Sequence, residues 1–252
     1  MLQRQTQVIQ KERQQFSMGL ARTESEVREA QKLRYKVFAE EMGAKMPGKE
    51  ERIDEDRYDR YCDHLLVRDT ESNEVVGTYR ILSPEQAQKA GGYYAEGEFD
   101  LTRLHNLRDS MVEVGRSCVH ADYRRGGVIT LLWAGMAQYM VQNKYDYLIG
   151  CASISMADGG HNAANIYSRI KSDSMSPAEW RVFPNCALPY EALSDRAEEF
   201  LPPLVKGYFR LGAYVCGDPA WDPDFNTADL LLLLPMSQLN KRYAKHFLIN
   251  KI

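Results

Sequence analysis

EVGRSCVHADYRRGGVITLLW, residues 113–133, is the stretch whose reading decides the fold. It begins inside a strand that starts near Met111 and runs to about Val119. A turn, HADYRRGG, follows. From Gly127 onward, Val128, Leu131, Leu132, Gly135, Met136, Tyr139 and Met140 fit the i, i+3, i+4 template, which predicts a helix to about Asn143. Strand, glycine turn and helix together outline an anion site. The first amides of a helix lack intrahelical partners, and the helix dipole favours negative charge there. Gly126 and Gly127 allow close approach of the backbone, and Arg124 and Arg125 add donors and positive charge. The plainer reading is a tight turn with two solvated arginines, and these residues alone balance the two.

Working outward, YLIGCASI (147–154) reads as the next buried strand. Upstream, HLLVRDTESNEVVGTYRIL reads as two strands, 64–69 and 75–82, joined by a polar turn. RTESEVREAQKLRYKVFAEEMG is a helix: Thr23 and Glu26 have capping-box spacing, and Val27, Ala30, Leu33, Val37 and Phe38 share a face before Gly43. A helix-prone, glycine-interrupted stretch runs to about 108. Residues 155–203 look like an insertion with a short helix around NAANIYSRIK. VKGYFRLGAYVCG reads as a helix stopped at Gly212 and then a strand, DLLLLLP as a strand, and SQLNKRYAKHFL as a closing helix. Residues 1–15 read as a loose tail or frayed helix before a single mixed α/β domain, 16–252.

The chain of 252 residues carries a net charge of −3, so it has no overall basic field for nucleic acid. Its five cysteines (62, 118, 151, 186, 216) lack C-x-x-C spacing, and the N-terminus lacks the apolar run of a secretory signal. Reduced thiols in a cytoplasmic protein are expected. The longest aliphatic run, LLLLL (230–234), is strand length and far short of a membrane span. The histidines (64, 105, 120, 161, 246) show no ligand spacing, so no metal is expected. No serine or cysteine sits in a nucleophile-elbow sequence, which argues against a covalent acyl-enzyme.

Glu113 and Arg80 are harder to explain blandly. A carboxylate in SMVEVGRSCV either lies on a solvated strand face or points into a cleft. Arg116, three positions on, falls on the opposite face unless a bulge near Gly115 brings the two together. Arg80, inside an apolar strand, needs buried partners. A network with Arg34, Asp56, Asp59 and Glu113 would supply them. Taken alone, Arg34 and Phe38 could be an ordinary helix face, and Asp56 and Asp59 a solvated loop.

The order of these motifs carries a resemblance. Arg124-x-x-Gly127, with Ile129 where Gly or Ala is usual, is similar to the acyl-CoA-binding segment of the GNAT acyltransferase superfamily. Tyr208-Phe-Arg-Leu-Gly-Ala resembles its Tyr-x-x-x-Gly-Phe helix end. Four further motifs narrow the resemblance: Arg34-x-x-x-Phe38, Asp56-x-x-Asp59 leading into CDHLLV, Gly77-Thr-Tyr-Arg80, and Glu113-x-x-Arg116. Together they resemble the acyl-homoserine-lactone synthases and, more closely, the ornithine-lipid N-acyltransferases, bacterial proteins often labelled hemolysin-like. EEMGA stands where the lactone synthases place a tryptophan.

The resemblance implies a GNAT-like fold, with a mixed central sheet, helices on both faces and a V-shaped splay between the fourth and fifth strands. It implies transfer of a 3-hydroxyacyl chain from acyl carrier protein, or from coenzyme A, to the α-amine of an amino acid, ornithine first. No tightly bound cofactor is implied. Glu113 would be the base and Tyr208 the group that protonates the thiolate. Arg34, Phe38, Asp56, Asp59, Arg80 and Arg116 would line the acceptor cleft. The amides of Cys118 and Val119 would polarise the thioester, and Arg124, Arg125, Gly126, Gly127 and Val128 would meet the donor's phosphate. The rival readings are an acyl-homoserine-lactone or other N-acyl amino acid synthase, and a hemolysin-like membrane-active protein. A cytoplasmic enzyme making a lipid would touch the inner membrane through residues 1–15 or 155–203.

Overall fold

The computed structural model describes residues 15–45, 50–193 and 201–239. The expected tail up to residue 14 and nearly all of the expected closing helix lie outside them. Among the described residues the α-helices are α1 (Glu24–Tyr35), α2 (Pro84–Ala90), α3 (Gly127–Asn143), α4 (His161–Ile170) and α5 (Pro203–Leu211). The strands are β1 (Phe16–Leu20), β2 (Asp63–Asp69), β3 (Val75–Leu82), β4 (Phe99–Asp100), β5 (Met111–Val119), β6 (Tyr147–Ser155), β7 (Phe183–Pro184), β8 (Tyr214–Val215), β9 (Ala220–Asp222) and β10 (Thr227–Pro235). The chain divides into two compact units. The first takes the residues up to Ile81 and Gly115–Asn143; the second takes Leu82–Val114 and the chain from Lys144. The boundary falls inside β5.

In the first unit β1, β2 and β3 are antiparallel neighbours, and the later part of β5 follows β3 in the strand order. A bulge between Val67 and Arg68 shifts the β2–β3 register. Helix α1 begins where Thr23 accepts from the Glu26 amide at 3.3 Å, and Glu26 accepts from the Arg22 amide at 2.7 Å. Its Ala30 and Leu33, with Val37 beyond, bury against Leu66, Val75 and Cys118, with Phe38 alongside. Past Tyr35 the helix widens into a π-type turn, Lys36–Glu41, in which the Met42 amide reaches back to Val37 O. Helix α3 covers the other face: Val128 and Leu132 pack down on Gly77, and Gly135 lies against Leu65. Residues alternate across a strand, so Leu65 and Leu66 serve opposite layers. Helices on both faces follow from that alternation.

In the second unit β5 runs parallel to β6 over three pairs, from Met111↔Tyr147 to Glu113↔Ile149, and the ladder ends there. Beyond Ile149, β6 continues to Ser155 paired with β10 alone, antiparallel from Tyr147↔Pro235 to Ser155↔Thr227. One parallel and one antiparallel neighbour make the sheet mixed, as expected. Strand β10 also pairs with β8 and β9, and every one of its residues is buried. Its unbroken leucine run suits a strand with no solvated edge or face. Helix α5 stops at Gly212, whose φ of +101° is the left-handed conformation that glycine adopts without a Cβ penalty.

Candidate active site

The arginines and aspartates of the sequence motifs assemble within the first unit. Arg34, from the buried face of α1, donates from Nε to Asp54 Oδ2 at 2.8 Å and from Nη1 and Nη2 to the two Asp59 oxygens, each at 2.8 Å. Its Nη2 also donates to the Asp54 carbonyl. Arg34 is 0 % exposed. Arg80, from β3, donates to Asp56 Oδ2 at 2.6 Å and to Asp59 Oδ1 at 3.4 Å. Arg116 stands 3.2 Å from Asp54 and 3.3 Å from Asp56. Three guanidiniums thus face three carboxylates, so the buried charges balance, which is the condition for burying them at all.

Burial pushes the Asp59 carboxyl up, but the bonds and charge of Arg34, with Arg80 behind them, hold it well below the usual carboxylate range. Burial, aided by Arg34 and Arg80, pushes His64 down and keeps it neutral. Asp54, which takes the Arg34 Nε–H, is absent from the sequence reading; it lies two residues before the Asp-x-x-Asp motif. The four donations from Arg34 lock the 54–59 segment onto α1. Arg34 and Asp59 are sealed inside, and Asp56, with 22 % of its side chain exposed, and Arg116, with 12 %, form the network's accessible rim.

Arg116 has φ +51°. That left-handed conformation, directly after Gly115, breaks the regular strand there, and the guanidinium lies beside Asp54 and Asp56. Phe38 packs beside the α1 core and Cys118 lies in it, where burial lifts the Cys118 thiol to about 12. The chain next passes Val119, whose carbonyl accepts from Arg124 Nε at 3.0 Å, while Arg124 Nη2 pairs with Glu41 at 2.5 Å. Arg124 therefore braces the turn, and the neighbouring Arg125 is exposed. Gly126 has φ +105°, and Gly127 and Val128, both buried, open α3.

Glu113 belongs to the second unit and is 5 % exposed. Its Oε2 accepts from the Tyr94 amide at 2.6 Å and its Oε1 from the Ala95 amide at 2.8 Å. The carboxylate thus holds the start of a short helical turn, Tyr94–Gly97. Tyr208 is buried on α5, and its carbonyl accepts from the Ala213 amide at 3.0 Å. A group that the sequence reading missed also lies in this unit. Burial, then Asp222, Asp229 and Asp224, push the half-buried Glu98 carboxyl up to about 7. Cys151 on β6 is pushed well above its ordinary value by burial and then by Asp229, Glu113 and Glu98. Among the described residues no group of three or more His, Cys, Asp and Glu is placed to hold a metal, and no helix is long and apolar enough to cross a membrane.

The Glu98 environment has a consequence for stability. Its folded value lies above the ordinary 4.5, so its contribution is present below about 4.5 and lost as pH rises through about 7. Glu98→Gln is therefore expected to melt higher than wild type at pH 8 and level with it at pH 4. Equal melting temperatures at pH 8 would contradict this environment.

Comparison with known proteins agrees with the topology. The model of the acetyltransferase (GNAT) domain family matches residues 33–134. FeeM, an N-acyl amino acid synthase from uncultured soil microbes, superposes with a TM-score of 0.56 at 12 % identity, over 90 % of this chain and 96 % of its own. BjaI, a CoA-dependent acyl-homoserine lactone synthase, superposes with a TM-score of 0.53 at 14 % identity, over 91 % and 85 %. Those likenesses show the fold. Sequence is more specific. The L-ornithine N(alpha)-acyltransferase of Brucella abortus is 38 % identical over 92 % of this chain and 88 % of its own, and that of Rhodobacter capsulatus 32 % identical over 92 % and 94 %. With the Arg-x-x-x-Phe, Asp-x-x-Asp and Glu-x-x-Arg motifs all present on a GNAT framework, the chain belongs to the L-ornithine N(alpha)-acyltransferase family of acyltransferases.

Proposed function

We propose that the enzyme joins a 3-hydroxyacyl chain, delivered as its thioester on acyl carrier protein, to the α-amine of L-ornithine, giving a single-chain ornithine lipid. The observation that carries this reading is identity of 38 % with an ornithine acyltransferase across nine-tenths of the chain. The α-amine attacks the thioester carbonyl directly. Arg116 and Asp56, at the rim of the ion-pair network, receive the acceptor's carboxylate and ammonium, and a planar guanidinium suits the first of these. Arg34, Asp59 and Arg80 hold that rim in place, and Phe38 backs it.

The donor's phosphate meets the first amides of α3 at Gly126, Gly127 and Val128, with Arg125 beside them and Arg124 bracing the turn. The amides of Cys118 and Val119 polarise the thioester carbonyl, and Tyr208 protonates the departing thiolate. An amine is largely protonated at neutral pH, so a carboxylate must take its proton; positioned proton transfer of this kind is worth roughly 10²–10⁴-fold. Glu113 serves that transfer, directly or through the turn it holds. A cytoplasmic enzyme with this product works at the inner membrane surface.

The test supplies purified enzyme with 3-hydroxyacyl carrier protein or 3-hydroxyacyl-CoA and, in separate reactions, ornithine, lysine, glutamine and S-adenosylmethionine. The expected product, read by mass spectrometry, is N-acylornithine, formed at least tenfold faster with the carrier protein. An acyl-homoserine lactone from S-adenosylmethionine would overturn the acceptor, and preference for coenzyme A would overturn the donor.

A further inference from the structure

Helix α1 does not finish as an α-helix, and its last turn decides what its final residues reach. From Lys36 to Glu41 the winding is π-type, with the Met42 amide donating to Val37 O at 3.1 Å. In an α-helix, residues five apart point about 140° away from each other. The i→i+5 winding brings such residues toward one side, and turns of this kind are frequent at functional sites. Lys36 and Glu41 are five apart, and both reach the turn that leads from β5 to α3. Lys36 Nζ stands 2.7 Å from His120 Nε2; an ammonium only donates, so the imidazole nitrogen accepts. Glu41 Oε2 accepts from Arg124 Nη2 at 2.5 Å. Val37 and Phe38, between them in sequence, pack on the core that contains Cys118, two residues before His120.

The turn is held from several directions. Arg124 Nε donates to Val119 O at 3.0 Å, which ties the turn to its own strand. Tyr123 meets Phe16 of β1 edge-on, with ring centroids 5.9 Å apart, and its hydroxyl bonds to Asp69 at the end of β2. Lys36 and Glu41 add a hold from α1, the helix whose Arg34 grips Asp54 and Asp59. Both of these contacts are exposed, and exposed pairs add little to stability. Two of them, converging on one turn from one short segment, fix where that turn sits rather than whether the chain folds.

We propose that Lys36 and Glu41 are positioning residues for the acyl donor: gripping His120 and Arg124 from the π-type turn, they keep the 120–126 turn in the shape in which the first amides of α3 meet the donor's phosphate. This rests on the acyltransferase reading above. Neither residue enters the chemistry. They act on how tightly the phosphorylated end of the pantetheine arm is held. The acceptor's rim rests instead on Arg34 and the 54–59 segment, so the two effects separate.

The test compares two synthetic donors that differ by one group: the 3-hydroxyacyl thioester of phosphopantetheine and that of pantetheine, which lacks the phosphate. Wild type is expected to show the lower KM with the phosphorylated donor. Lys36→Met and Glu41→Gln should each raise that KM about tenfold, and the double variant about 10²-fold. KM for the pantetheine thioester and for ornithine should stay within about twofold of wild type, with kcat little changed. Lys36→Arg, which keeps a cationic donor, should stay near wild type. The melting temperature should move by no more than about 4 °C in any of them, which separates lost position from lost fold. If wild type discriminates between the donors and the variants do so equally well, the positioning role is overturned and the acyltransferase reading stands. Equal KM for the two donors in wild type would overturn the placement of the phosphate, and the positioning role with it. An equal rise in KM with the pantetheine thioester, or a fall in kcat with both donors, would assign the two residues to the fold at large and also overturn the proposal. Should another amine prove to be the acceptor, the same comparison of donors, run with that amine, still decides the role of Lys36 and Glu41.

Discussion

Arg34→Ala is expected to destabilise the protein by about 3–5 kcal/mol, the largest loss predicted for any single side chain here. The side chain is fully buried and divides its donors between Asp54 and Asp59, themselves 4 % and 5 % exposed. Removing it leaves carboxylates in a site with little water and one fewer cation, and that uncompensated charge accounts for most of the cost. Urea unfolding at pH 7 measures it, and a loss below about 1 kcal/mol would mean that water or a rearranged Arg80 satisfies the aspartates. Arg34→Lys should recover only part of the loss, because an ammonium cannot reproduce the fork that spans two carboxylates.

The pH dependence follows from the same contact. The folded value of Asp59 is depressed, so its contribution is present above the ordinary 3.8 and lost as pH falls through the folded value. Wild type should lose stability steeply on acidification, and Arg34→Ala much less steeply. Under the proposed function, in which Arg116 and Asp56 receive the acceptor, removal of Arg34 or Asp59 is expected to depress folding and activity together.

Much of this arrangement is legible in the sequence wherever a pattern is local. The apolar recurrence from Val128 to Met140 places α3 at Gly127–Asn143, and MVEVGRSCV gives β5 its observed bounds, because nine and seventeen residues are long enough for a period to declare itself. Strand β1 is not legible. Only Phe16 of FSMGL is buried, and an edge strand held by backbone bonds to β2 needs no alternation. The network was half visible: a buried Arg80 demands partners, and the motif names Asp56 and Asp59. Asp54 was hidden among the other charges of KEERIDEDRYDRYCD. Glu98, Asp222 and Asp229 lie more than a hundred residues apart at the extremes, and only the pairing of β9 with β10 and the anchored turn brings them near one another. One local signal did exist: Asp229 heads a run of five leucines in a strand with no exposed residue, and a carboxylate there needs a reason.

Gly150→Ala is expected to reduce kcat/KM by about 10²-fold, on the general sensitivity of catalysis to displacements of roughly 1 Å. A Cβ at position 150 would lie 2.4 Å from the Val114 carbonyl oxygen and 3.4 Å from a Val114 side-chain carbon. Backbone cannot swing aside as a flexible side chain can, so β5 and β6 must part at the end of their short ladder. That end is Glu113↔Ile149. Moving β5 there shifts Glu113, and with it the two bonds that hold the Tyr94–Gly97 turn. The stability cost is that of overpacking, about 1–3 kcal/mol, well short of unfolding the protein. Rate and stability should therefore separate: a variant that stays folded at 25 °C, with KM for the donor near wild type and kcat depressed. Gly150→Ala at full activity would show that the β5–β6 junction tolerates displacement, and that the geometry around Glu113 is looser than the reaction described here requires.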